Sequence, residues 1–211
     1  MTLAERLADA LARGRSGTGE LLTGDQVGLD AGGDDALAAA AVLVAVTDRP
    51  RPGVILTRRA DTLRRHAGQV AFPGGRVDPG EDAVRAAVRE AEEEIGLPPA
   101  VVTVVGPVDR YRTVTGYAVT PVLAAIPADC AFTLSPREVA SVFEVPFDHL
   151  LDPANQIEQV TEWRGTPRRY WEIRWEEHRV WGATAAMIVN LSRRLLSGLR
   201  GVEKHCALAI S

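Results

Sequence analysis

Hydrophobic and polar positions along the chain fall into two periods, and their alternation gives the order of elements. Leu3, Leu7, Ala10 and Leu11 recur at helical spacing, so Thr2–Arg13 reads as an amphipathic helix. A Gly- and Asp-rich stretch follows, ending at Gly32-Gly33-Asp34-Asp35, and reads as loops. Ala38–Thr47 is a continuous apolar run, the pattern of a strand buried on both faces, and Asp48–Gly53 turns it into a second strand, Val54–Arg58. Gln69–Phe72 is a short strand, and Val101–Val108, Tyr117–Ile126 and Val139–Val145 are three more. Trp171, Ile173 and Trp175 alternate with Glu172, Arg174 and Glu176, the mark of a half-buried strand. The turn residues Arg164-Gly165-Thr166-Pro167 pair that strand with Gln159–Trp163. Val180–Leu196 returns to helical spacing as a closing helix. Strands interleaved with helices predict an α/β fold with a mixed β-sheet between helical layers. The expected organisation is an N-terminal helix and loops over 1–35, one domain over 36–198 and a tail over 199–211.

One helical segment, following the short strand, carries most of the chemistry. On a wheel of about 100° per residue, Val84, Val88, Ala91 and Ile95 fall within about 60° of one another and form an apolar stripe. Glu90, Glu93 and Glu94 share another face, since positions three and four apart are neighbours. Three carboxylates on one face repel each other, and a divalent cation would relieve that repulsion. Mg²⁺ and Mn²⁺ take carboxylate oxygens and keep positions open for substrate phosphates. Pro79-Gly80 before Glu81 and Asp82 is a turn into the helix, and Gly96 before Pro98-Pro99 is its stop. Arg89 lies four residues before Glu93 and can hold that carboxylate in place. Glu81 lies off the acidic face; it either acts from the loop or pairs with Arg89.

The segment Gly75–Leu97 matches the pattern G-x5-E-x7-R-E-U-x-E-E-x-G-U, with U apolar, at Gly75, Glu81, Arg89, Glu90, Ala91, Glu93, Glu94, Gly96 and Leu97. It resembles the signature box of the Nudix hydrolases. Upstream, Leu56, Thr57, Arg59, Ala60, Arg64, Gly68, Phe72, Pro73, Gly74 and Gly75 resemble the extra signature of the coenzyme A pyrophosphatase branch of that superfamily. Ile55 stands where that pattern has Leu, an apolar exchange. The pieces VFEVPFDHLLDP and VWGATAAMIVNL are similar to the same branch. Together the two signatures span about a fifth of the chain.

Composition narrows the setting. The 211 residues carry a net charge of −4, which gives no support for binding nucleic acid or a membrane surface. Cys130 and Cys206 stand in no metal or redox spacing, so both read as thiols in a reducing compartment. No apolar run reaches the roughly 18 residues of a membrane span, and the N-terminus lacks the apolar region of a signal peptide. Cytoplasmic localisation is the expectation, with a small molecule as partner; a homodimer stays open.

The resemblance implies an α/β/α sandwich of Nudix type and Mg²⁺- or Mn²⁺-dependent hydrolysis of a pyrophosphate bond. For coenzyme A the products would be 3′,5′-ADP and 4′-phosphopantetheine. Glu90 and Glu94 would be the leading metal ligands, with Glu93 close behind and the main-chain carbonyl of Gly75 added by the resemblance. Glu93 and Arg89 are also candidate catalytic groups. The candidate general base is Glu138, in the loop Ser135-Pro136-Arg137-Glu138, with Glu144 in reserve; a plain surface role for Glu138 stays open. Arg58, Arg59, Arg64 and Arg65 place four guanidiniums within eight residues, a cluster suited to phosphates. Arg59 or Arg64 is the expected partner of the 3′-phosphate. Phe72 is either a stacking surface for a base or core. His66 reads as a loop residue, Trp181 and Met187 as core, and Tyr170 with Arg168 and Arg169 as a hairpin surface that could border a pocket. A broader Nudix hydrolase of ADP-ribose, dinucleotides or nucleoside triphosphates is the first alternative. A non-catalytic nucleotide-binding module is the second, disfavoured because no box glutamate is missing.

Overall fold

The computed structural model describes residues 1–15, 20–24, 37–63, 66–163 and 166–197. Arg64, Arg65, the Gly32–Asp35 loop, the Arg164-Gly165 turn, Cys206 and the 199–211 tail lie outside the described residues. The main sheet runs β3 (Val70–Ala71), β2 (Gly53–Arg59), β1 (Ala38–Asp48), β7 (Tyr117–Pro127) and β5 (Thr103–Pro107). Three further strands join it: β4 (Gly74–Arg76) on β1, β6 (Tyr111–Arg112) on β7, and β8 (Val139–Pro146) on β2. Strands β1 and β7 pair in parallel along their whole length, from Ala38↔Tyr117 to Asp48↔Pro127, while the other pairings are antiparallel. The sheet is therefore mixed.

The unbroken apolar runs of β1 and β7 have a simple cause: both faces are covered. Ala41, Leu43 and Ala45 of β1 and Val122, Ala124 and Ile126 of β7 pack with helix α2 (Ala83–Ile95). The residues between them, Ala40, Val44 and Val46 with Val119, Leu123 and Ala125, pack with α1 (Leu3–Arg15) and α4 (Ala183–Ser197). Leu3, Leu7 and Leu11 of α1 are fully buried there, at the helical spacing the sequence shows. This is an α/β/α sandwich.

A second sheet, β11 (His178–Trp181), β10 (Thr166–Trp175) and β9 (Ile157–Trp163), is antiparallel and stands beside the first. Its contact with the main body includes His178 stacked flat on Phe143 of β8, ring centroids 3.6 Å apart. A short helix α3 (Phe147–Leu151) leads from β8 toward it. The expected closing helix begins later than its spacing suggests. Val180 and Trp181 belong to β11, and Gly182 separates that strand from α4. The glycine-rich Gly74-Gly75 forms strand β4 because its backbone lies tight against Ala41 and Val42 of β1.

Among the described residues, no helix is long and apolar enough to cross a membrane.

Candidate active site

Helix α2 begins where Asp82 caps the N–H of Arg85 (2.9 Å) and ends at Gly96, whose left-handed backbone (φ 67°) returns its N–H to the carbonyls of Ala91 and Glu92. Between the caps the helix is rotated relative to the stripe read from the sequence. The face against the sheet is Ala86, Ala87, Ala91 and Ile95, while Val84 and Val88 are half-buried at its margin. Small alanines let the helix come close to the sheet, so the packing face is set by size as well as by hydrophobicity. The rotation turns the acidic face inward. Glu94 is only 4% exposed, Glu90 is half-buried, and Glu93 alone of the three looks mostly to solvent, its side chain 56% exposed.

The backbone amide of Gly74 donates to Glu94 Oε2 at 3.1 Å, and Arg59 Nη1 stands 3.9 Å from Oε1. Burial dominates these contacts and pushes the Glu94 carboxyl up to about 7. Glu90 is raised by the same cause, and its carboxylate lies directly against Gly75, where any Cβ would collide with it. Gly75 is thus required for close approach. Glu138 adds to the rise of both carboxyls by charge, which puts it on their side of the molecule; its side chain is exposed, and its carbonyl is held by the amide of Ala60 at 2.9 Å. Glu144, the reserve candidate, is bonded to Thr47 and Arg49 opposite Ile55.

Arg89 organises the surround. Its Nε and Nη2 form a fork on Glu81 (3.1 and 3.0 Å), Nη1 bridges Glu90 (3.0 Å) and Glu93 (3.1 Å), and Nη2 also reaches the Arg76 carbonyl (3.0 Å). Glu81 is therefore the structural partner of Arg89, the second of the two roles its position allowed. Arg89 touches carboxylates and backbone, so it acts as a positioning residue. Among the described residues no three Asp, Glu, His or Cys side chains close on one point. The donor types nevertheless suit Mg²⁺ or Mn²⁺: hard carboxylate oxygens, with two carboxyls whose ionised form burial disfavours and a bound cation would favour.

Beside this cluster lies a cavity of about 700 Å³, within the range of small-molecule sites. The main sheet contributes Arg59, Gly74, Gly75, Arg76 and Tyr117, so the glycines that touch Glu90 and Glu94 also border the cavity. The second sheet contributes Thr161, Arg168, Tyr170, Arg179 and Trp181. His66 and Gln69, bonded to each other at 2.8 Å, line it from the loop.

Three sequence expectations change here. Arg58 does not line the cavity, although its neighbour Arg59 does; it is bound to both oxygens of Asp61 (2.7 and 3.0 Å), and successive residues of a strand point to opposite faces. Phe72 is buried in the core on the α1 and α4 side and offers no stacking surface. Trp181 is 36% exposed on the cavity wall rather than in the core, whereas Met187 is core as expected. Arg76, Tyr117 and Arg179 were not singled out by any motif. The register Glu172↔Trp181 between β10 and β11 brings Tyr170, Arg179 and Trp181 together.

Glu172, 2% exposed, anchors that wall by accepting from Arg179 Nε and Arg174 Nε, both at 2.7 Å. The Arg179 bond, then the Arg174 bond, hold its carboxyl below the ordinary range against the opposing effect of burial. A carboxyl held low stabilises the fold above its unfolded-chain value and loses that contribution as pH falls through the folded value. Glu172→Gln should therefore lower Tm at neutral pH, with the gap to wild type closing as the medium is acidified below about pH 4. Thermal melts across that range check this; an equal gap at every pH would contradict it.

The chain is similar to several known proteins. The NUDIX domain model matches residues 37–171. The protein described as "Uncharacterized Nudix hydrolase NudL" of Escherichia coli is 45% identical over 157 residues, covering 74% of this chain and 82% of that one. The NudL of Cronobacter sakazakii has the same identity and coverage. Among solved structures, a Nudix hydrolase from M. smegmatis, RenU, is 28% identical, covering 63% of this chain and 82% of that one, with a TM-score of 0.48. With the box helix, the sandwich around it and close relatives over most of its length, the chain belongs to the Nudix hydrolase family.

Proposed function

We propose that the enzyme hydrolyses the pyrophosphate bond of coenzyme A to 3′,5′-ADP and 4′-phosphopantetheine. The observation that carries this reading is the shared border: Gly74 and Gly75, which touch the Glu94 and Glu90 carboxylates, also line a cavity rich in arginine and aromatic side chains. The coenzyme A signature runs through that border, from Leu56 to Gly75. Coenzyme A offers two anionic groups, a pyrophosphate and a 3′-phosphate, and so suits a site with cations on both sheets.

Glu90, Glu94 and the Gly75 carbonyl would hold Mg²⁺ or Mn²⁺, with Glu93 at the solvent side. A bound divalent ion supplies neutralisation of phosphate charge and lowers the pKa of the attacking water. Arg59, beside Glu94, holds the pyrophosphate oxygens near the cluster. Glu138, exposed and adjacent in charge to both carboxyls, takes the proton of the attacking water. Arg89 fixes Glu90 and Glu93 in place. The bond between pyrophosphate bridging oxygen and phosphorus breaks as the water oxygen bonds to that phosphorus, leaving two phosphomonoesters.

The direct test compares kcat/KM for coenzyme A, ADP-ribose and NADH, with and without Mg²⁺. Coenzyme A should be preferred; a preference for either other substrate would replace this reading with that of a broader Nudix hydrolase. EDTA should abolish turnover while leaving the circular dichroism spectrum intact, since no Cys/His zinc site exists among the described residues, and added Mg²⁺ should restore it. Unfolding on chelation would contradict a purely catalytic metal.

A further inference from the structure

The cavity has a wall remote in sequence from both signatures, and its construction is unusual for an ordinary hairpin surface. Tyr170 and Trp181 meet edge to face, with centroids 6.0 Å apart and planes at 72°. The Arg179 guanidinium lies over both rings, 5.2 Å from Trp181 and 5.9 Å from Tyr170. It is fixed from behind by buried Glu172, through Nε at 2.7 Å, and from the side by the Tyr170 hydroxyl, which accepts from Nη2 at 2.9 Å. A guanidinium held in this way is oriented before any ligand arrives, so less entropy is lost when an anion binds. Among the described residues, its Nη1 donates no hydrogen bond. Trp181 lines the cavity and is exposed rather than turned into the core. Across the same cavity, on the main sheet, Arg76 stands 5.5 Å over Tyr117 and bonds its hydroxyl at 3.0 Å.

We propose that Tyr170, Arg179 and Trp181 form the subsite for the nucleotide end of the substrate. The base stacks on Trp181, and the phosphomonoester on its ribose pairs with Arg179. Arg59 belongs to the pyrophosphate, because its guanidinium stands beside Glu94. The specificity for a 3′-phosphorylated nucleotide therefore comes from the second sheet, with Glu172 as the positioning residue for Arg179. This assignment rests on the reading of the substrate as coenzyme A, and the test below separates the two.

Calorimetric titration of the Mg²⁺-loaded enzyme with 3′,5′-ADP and with 5′-AMP isolates the nucleotide end without turnover. Wild type should bind 3′,5′-ADP about 10- to 150-fold more tightly than 5′-AMP, the yield of one charge-assisted hydrogen bond. Arg179→Ala should remove that preference, and Arg179→Lys, which keeps a charge on Glu172 but not the planar fork, should reduce it. Trp181→Ala, a change at an exposed side chain, should weaken both nucleotides by about 5- to 150-fold while leaving their ratio unchanged. A preference that survives in folded Arg179→Ala, one undiminished in Arg179→Lys, or nucleotide binding unaffected in Trp181→Ala, overturns the subsite. A wild type that leaves coenzyme A intact, yet shows the Arg179-dependent preference, sinks the substrate reading and keeps the subsite. Cleavage of coenzyme A with no preference for 3′,5′-ADP does the reverse.

Discussion

Glu94→Gln should lower kcat for coenzyme A by at least about 100-fold at saturating Mg²⁺, since the charge stabilisation a bound metal supplies is worth several kcal/mol. The substitution is nearly isosteric. The side-chain oxygen of Gln can still accept from the Gly74 amide, which Glu94 Oε2 now does at 3.1 Å. It also removes a carboxyl that burial has driven up to about 7, so the folded state gives up an unfavourable charge rather than a useful one. Tm should hold or rise while activity falls. That combination separates a group kept for chemistry from one kept for packing. Glu90→Gln should behave in the same direction, because its carboxyl is also raised by burial and lies on Gly75. A variant with near-wild-type turnover would remove that residue from the metal site.

Arg89→Ala should be the most damaging single change to the scaffold of the site. Arg89 joins Glu81, Glu90, Glu93 and the Arg76 carbonyl, tying the loop before α2 to the middle of the helix. Those acidic neighbours hold its guanidinium, above all Glu81, well above its ordinary pKa. Its loss leaves three carboxylates facing each other and a fork of Glu81 without its partner. Losing every one of these contacts at once should lower Tm measurably. Turnover should fall by about 100-fold as well, because a displacement of Glu90 by about 1 Å is enough for that. Arg89→Lys should recover part of the stability and little of the activity, since an ammonium cannot reproduce the fork and the bridge together. Denaturation curves and kcat measured on both variants decide this. A stable, active Arg89→Ala would leave Glu90 positioned by other means.

The elements around the site differ in how plainly the sequence shows them. The caps of α2, the apolar runs of β1 and β7, and the alternation in β10 are local patterns, and each appears in the structure within a few residues of its expected bounds. The rotation of α2 is not local. The wheel weights Val84 and Val88 over Ala86 and Ala87, whereas close packing on Ala41, Leu43 and Ala45 favours the small side chains. The pairing of Arg89 with Glu81 lies eight residues apart and needs the Pro79-Gly80 turn to fold the loop back. The hairpin wall is the least legible part. Tyr170, Arg179 and Trp181 have no spacing of their own and meet only through the register of β10 on β11 and the docking of that sheet beside the first. Arg58 shows the converse. Its neighbourhood with Arg59 in sequence says nothing of Asp61, which binds it away from the cavity.

The most direct measurement is product analysis of coenzyme A incubated with Mg²⁺ and the wild-type enzyme, beside Glu94→Gln, by mass-resolved chromatography. The expected result is 3′,5′-ADP and 4′-phosphopantetheine in equal amounts from wild type and almost none from the variant. Intact coenzyme A after prolonged incubation with wild type, or the same products formed equally fast by Glu94→Gln, would contradict it.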